Sequence, residues 1–182
     1  MTDDSVRKNR ESLRESYRPD KVRVLFVGES PPKSGEFFYG PRFSRLFRAT
    51  RQAFTCAFDR TFHDEEEFLC AFKASGCFLE DLCQEPINEG FGRVKDPRRI
   101  RKREECVSRV SGRFEGTNPG AIVYVGVESS KQAKIAAKQA QLNPHDVCTV
   151  PFPAQSNQPR YVEELCAWLR SLRSSGLFLE LP

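Results

Sequence analysis

Glu29 and Ser30 stand just past an apolar run, in Gly28-Glu29-Ser30-Pro31-Pro32, and Glu80 and Asp81 lie near the end of a second such run. An ionised carboxylate only accepts hydrogen bonds, so any ligand it meets must bring donors. A third polar segment, Pro151-Phe152-Pro153-Ala154-Gln155-Ser156-Asn157, adds two amides and a hydroxyl. The aromatic trio Phe37-Phe38-Tyr39 lies between the first and second segments. Arg93, Lys95, Arg98, Arg99, Arg101, Lys102 and Arg103 make a local cationic band suited to phosphates, and Arg42, Arg45 and Arg48 extend it.

Other chemistries are poorly supplied. His63 and His145 sit in polar turns beside acids, with no nucleophile or second ligand nearby, and read as structural. Seven cysteines are an odd set without a CxxC pair, mostly inside apolar runs where a thiol acts as a small hydrophobe. The spacing of Cys70, Cys77 and Cys83 matches no common zinc or iron–sulfur pattern, so no metal is expected. Free thiols suit a reducing cytoplasm. The N-terminal MTDDSVRKNR has no apolar core after its charges, and no window approaches the roughly 18 apolar residues of a membrane span. A cytoplasmic protein without membrane contact is expected. The net charge of +4, from 29 basic and 25 acidic residues, is mixed, so the local band says more than the total.

The elements that must position these groups alternate. Residues 4–17 read as a charged helix ended before Pro19. Residues 22–27, β-branched and aromatic and closed by Gly28, read as a strand buried on both faces. Helices follow over 41–57 and 64–74, from the spacing of Phe43, Leu46, Phe47 and Phe54 and of Phe68, Leu69 and Phe72. Residues 77–83 form a second strand, ending in the turn Pro86-Ile87-Asn88. The stretch 90–103 reads as a loop leading into a helix that reaches Phe114. A third strand over 121–127, a helix over 129–141, a strand over 147–150 and an amphipathic helix over 161–173 complete the chain. Four strands with intervening helices predict an α/β fold, a three-layer α/β/α arrangement around a four-stranded parallel sheet. At 182 residues one domain spanning 1–182 is expected, with 1–20 as an N-terminal helical extension. In such a sheet a ligand sits beyond the carboxyl ends of the strands, which is where the three polar segments fall.

At these residues the chain resembles the uracil-DNA glycosylase superfamily, as a divergent member. Gly28-Glu29-Ser30-Pro31-Pro32, followed by Gly35 and Phe37-Phe38-Tyr39, is similar to the family's water-activating motif and base-stacking aromatic. Phe152 to Asn157 is similar to its second motif, which inserts into the DNA minor groove, and the second strand resembles its base-reading strand. The correspondence in order and spacing runs from about residue 21 to 170.

The resemblance implies a monomeric DNA glycosylase, without cofactor, that hydrolyses the N-glycosidic bond of a flipped-out base in single- or double-stranded DNA. It serves either repair or defence against modified foreign DNA. It puts Glu29, with Ser30, at the water; a carboxylate there also stabilises positive charge developing on the sugar. It puts Phe38 on the extruded base, with Phe37 and Tyr39 as neighbours, and Asp81 and Asn157 at the base. Gln155 and Ser156, with Arg98, Arg99, Arg101 and Lys102, then contact DNA. Two positions depart from the family. Asp81 stands where uracil-specific relatives keep Asn, which suits an exocyclic amine and hence a modified cytosine. Phe152 stands where the family has a His that stabilises the departing base anion. With that imidazole missing, a base-binding module without turnover is the alternative.

Plainer roles fit the same residues. Gly28 to Pro32 is also an ordinary strand exit, the aromatic trio can cover the core, Asp81 can cap the next turn, and the Arg/Lys run can be a solvated helix face.

Overall fold

The computed structural model describes residues 3–87 and 90–176. The turn expected at Asn88 lies outside the described residues. Four five-residue strands, β1 (Val24–Gly28), β2 (Cys77–Asp81), β3 (Ala121–Val125) and β4 (Asp146–Val150), form one parallel sheet in the order β2-β1-β3-β4. Every residue of β1, β2 and β3 is buried, as their near-continuous apolar runs require.

Six helices accompany the sheet: α1 (Asp3–Ser16), α2 (Arg45–Phe58), α3 (Glu65–Ala74), α4 (Pro97–Phe114), α5 (Ser130–Gln139) and α6 (Gln158–Ser174). Helix α2 packs against α6, and α4 against α5, making the two outer layers of an α/β/α arrangement. Among the described residues no helix is long and apolar enough to cross a membrane. The core between α2, α3 and the sheet is strongly aromatic: Phe26, Phe54, Phe68 and Phe72 are all inaccessible and their ring centroids lie 5.2–6.4 Å apart.

Of the boundaries that differ from expectation, three have clear local reasons. Strand β2 stops at Asp81, not Cys83, because Leu82 N–H and Cys83 N–H donate to the successive carbonyls of Gly28 and Glu29, each at 2.9 Å. Consecutive amides of an extended chain point to opposite sides, so this pattern ends the ladder. Helix α4 begins at Pro97, because the Asp96 carboxylate accepts from Arg98 N–H at 2.9 Å and a proline suits the first helical position. Arg98, Arg99, Arg101, Lys102 and Arg103 are therefore helical, while Arg93 and Lys95 lie in the loop before α4. The last segment tightens into a 3-10 turn over Gln155–Asn157 that leads straight into α6.

Connections leave β1 towards β2 and β3 towards β4, in opposite directions along the sheet. The carboxyl ends of β1 and β3 thus flank the switch point, where an open α/β sheet leaves a crevice.

Candidate functional site

A cavity of about 530 Å³ occupies that crevice. Its wall takes Glu29, Ser30, Pro31 and Pro32 from the exit of β1, and Val125 to Ser129 from the exit of β3. Asp81 comes from the end of β2, while Pro151, Phe152, Ala154 and Asn157 come from beyond β4. The three polar segments of the sequence therefore share one concavity.

Glycine at the strand ends makes room for this. Gly28 pairs with Asp81 in the β1–β2 register, and a Cβ on Gly28 would meet Asp81 Oδ1 at 2.5 Å. A bare Cα is thus needed for the Asp81 carboxylate to lie over β1. Gly126 has φ +94°, and a Cβ there would meet Ser129 Oγ at 2.7 Å.

The Asp81 side chain is almost sealed from solvent, with 5% of the residue exposed, yet it borders the cavity. Among the described residues, no donor hydrogen-bonds either carboxylate oxygen. The nearest cation is Arg14 Nη2, 3.9 Å from Oδ2, an ion pair beyond hydrogen-bonding reach. Burial pushes the Asp81 carboxyl up to about 6, with Arg14 opposing that rise.

Arg14 was not foreseen. It projects from α1, is only 1% exposed, and contacts Glu80 Oε1 at 2.9 Å and Glu11 Oε2 at 2.7 Å. Its guanidinium lies 5.6 Å from the centroid of Phe37. Arg113 of α4 approaches Glu80 Oε2 at 3.3 Å and donates to the Asp81 carbonyl at 2.7 Å. Burial raises the Glu80 carboxyl, against the pull of Arg14 and Arg113. The helix expected as an N-terminal extension therefore supplies the charge behind the site. The sequence did carry a trace of this: Arg10, Leu13, Arg14 and Tyr17 recur at helical spacing, so one face of a very polar helix faces inward.

Glu29 is clamped by two arginines from α4. Oε1 accepts from Arg99 Nε at 3.0 Å and Arg103 Nη1 at 2.8 Å, and Oε2 accepts from Arg99 Nη2. Of the roughly four lone-pair directions on a carboxylate, about one remains for a water. Arg99, expected as a DNA contact, is paired with Glu29 and forms part of the cavity wall. Arg99 and Arg103 are four residues apart, and Val107, Val110 and Phe114 continue the same buried face. That continuity is the signal the sequence offered for an inward pair.

The rest of the cationic band divides. Arg98 pairs with Asp96 at 3.1 Å and Lys102 with Glu105 at 3.3 Å on the solvent face of α4. Arg101, Arg42 and Arg45 are exposed and have no carboxylate partner among the described residues. Arg45 stands at the cavity wall.

The aromatic trio also divides. Phe37 and Phe38 line the cavity. Their loop closes on itself, since Phe37 N–H donates to Arg42 O at 2.7 Å and Ser44 N–H to Phe37 O at 3.0 Å. The Phe38 ring is braced by Phe47 and Phe72 at centroid distances of 5.6 and 5.3 Å. Tyr39, expected as their neighbour at the base, is instead a core residue outside the cavity wall. Its hydroxyl accepts from Leu79 N–H at 2.7 Å and donates to Leu79 O at 3.1 Å, capping the outer edge of β2.

Ser30 Oγ accepts from Ile87 N–H at 3.3 Å, tying the β1 exit to the β2 exit. Asn157 and Ser156 are exposed on the 3-10 turn; Asn157 borders the cavity and Ser156 does not. Gln155 lies in the same turn, with its side chain outside what is described. Phe152 is 45% exposed at the mouth, together with the exposed Val94 and Val127. Neither a known protein family nor a curated protein sequence matches the chain.

Proposed function

We propose that the chain is a DNA glycosylase of the uracil-DNA glycosylase superfamily type, hydrolysing the N-glycosidic bond of a base extruded into this cavity. The observation that carries the reading is the convergence of Glu29, Asp81, Phe37, Phe38 and Asn157 on one crevice at the switch point of the sheet. Uracil or a modified cytosine is the base, in repair or in defence against modified DNA, in the cytoplasm.

The residues would act as follows. An extruded base enters past Phe152 and lies beside Phe37 and Phe38, with its pairing edge towards Asp81. Glu29, held rigidly by Arg99 and Arg103, orients one water through its remaining lone pair and faces the sugar as the bond to the base breaks. The family's imidazole is absent at Phe152, and Arg99, the wall cation beside Glu29, is already paired with that carboxylate. Arg42, Arg45 and Arg101 carry unneutralised charge for phosphates.

The double clamp on Glu29 favours one other reading, a base-binding module without turnover, because two arginines compensate the charge a catalytic carboxylate would use. Single-turnover incubation with oligonucleotides bearing uracil, hypoxanthine or substituted cytosines, followed by alkaline strand scission, decides between them. Abasic product that falls about a hundredfold or more in Glu29→Gln supports the enzyme. Tight binding with no abasic product from any substrate supports the module, and full activity in Glu29→Ala removes Glu29 from the mechanism.

A further inference from the structure

We infer that Arg14 is a specificity-determining residue: from α1 it holds Asp81 as an acceptor-only group at the cavity wall, so that the base taken up carries an exocyclic amino group. The inference rests on the reading of the cavity as a base pocket, and it narrows the substrate class.

The geometry separates charge from hydrogen bonding. At 3.9 Å, Arg14 Nη2 stabilises the charge of Asp81 without occupying its lone pairs. No other described residue donates to them, although the side chain is more than nine-tenths buried and borders the cavity. The oxygens open onto the cavity, so a ligand that displaces water from them must bring N–H donors of its own or leave a carboxylate unmet. The amino group of cytosine or adenine supplies that N–H. The O4 of uracil would instead set lone pairs against lone pairs.

The charges around Asp81 come from every element packed on it. Arg10 and Arg14 approach from α1, Arg113 from α4, and Glu80 precedes it on β2, while β1 offers only the bare Cα of Gly28. Arg14 is the cation with the largest influence on Asp81 and the only one paired with its side chain among the described residues. Arg14 is thereby distinguished from a purely structural brace on Glu80, which would leave the protonation of Asp81 unchanged. The cavity, at about 530 Å³, falls within the 300–1,000 Å³ typical of drug-sized ligands, so it has room for a base with a substituent.

The test uses the full chain, fluorescence anisotropy and single-turnover cleavage on matched oligonucleotides carrying cytosine, 5-substituted cytosine or uracil. Carboxyl-carbon NMR of Asp81 is recorded alongside. At pH 7.5 the wild type is expected to prefer an amino-bearing base over uracil by about tenfold or more, the scale of one good hydrogen-bonded base contact. Arg14→Gln should abolish that preference and raise the Asp81 titration midpoint, while Arg14→Lys should retain much of both. If Arg14→Gln does not fold, Asp81→Asn, which leaves Arg14 in place, is expected to turn the preference towards uracil. A wild-type preference for uracil overturns the inference, as does a folded Arg14→Gln variant with unchanged preference or midpoint, or an Asp81→Asn variant with unchanged preference. Amino-selective binding with no abasic product would refute the glycosylase reading alone. Failure of every oligonucleotide to bind would refute both.

Discussion

Replacing Asp81 by Asn should stabilise the protein at neutral pH and do little under acid conditions. The two side chains are nearly isosteric, and none of the described hydrogen bonds is lost, because none ends on the Asp81 carboxylate. Burial lifts its pKa from 3.8 to about 6 in the folded chain, with Arg14 only partly offsetting that rise. A carboxyl whose folded pKa is the higher one favours folding when protonated. That contribution is complete below about pH 3.8 and disappears as pH climbs through about 6. A gap of about two units is worth about 3 kcal/mol at 1.36 kcal/mol per unit, so at pH 7.5 the wild type folds with that much less stability than an uncharged equivalent. For a chain of this length the gain in Asp81→Asn is a rise of roughly 6–12 °C in the unfolding midpoint. At pH 4 the same linkage leaves less than about 1 kcal/mol. Urea unfolding of both proteins at pH 4 and 7.5 measures the effect. An Asn variant less stable than wild type at pH 7.5, or a difference independent of pH, would refute the burial argument.

Two further substitutions probe the packing around the site. Gly28→Ala puts a methyl where Asp81 Oδ1 stands, and the overpacking should cost about 1–3 kcal/mol; in an Asp81→Ala background that penalty should vanish, which a double-mutant cycle by chemical denaturation would reveal. Tyr39→Phe strips the partner from both Leu79 N–H and Leu79 O, and a loss of about 2 kcal/mol is expected by the same method; no loss would mean that water or a neighbour caps that edge instead.

The sheet was legible because its evidence is local. Val24 to Gly28 and Ala121 to Val125 are apolar runs punctuated by glycine, and runs of that kind are buried strands wherever they fall. The convergence of Glu29, Asp81 and Asn157 followed from topology, since the carboxyl ends of parallel strands meet on one side. What escaped was pairing across distance. Helical periodicity marks an inward face, but it cannot say that Arg14 answers Glu80 and Asp81, or that Arg99 and Arg103 answer Glu29 some seventy residues earlier in the chain. Buried arginines need such partners, and nothing in the helix itself names them. Tyr39 was misjudged for the same reason: its use is set by Leu79, an unpaired backbone position on a strand that its own neighbours do not reveal.

That phenol has a consequence for assembly. Parallel sheets grow when an incoming extended segment finds free amides and carbonyls along a flank. On the β2 flank the Leu79 groups are already bonded, and Tyr17 stacks over the ring that bonds them, at 5.5 Å. An extended segment from a partner or a second copy would have to displace both tyrosines there. At Leu79 the β2 flank is thereby closed to strand addition.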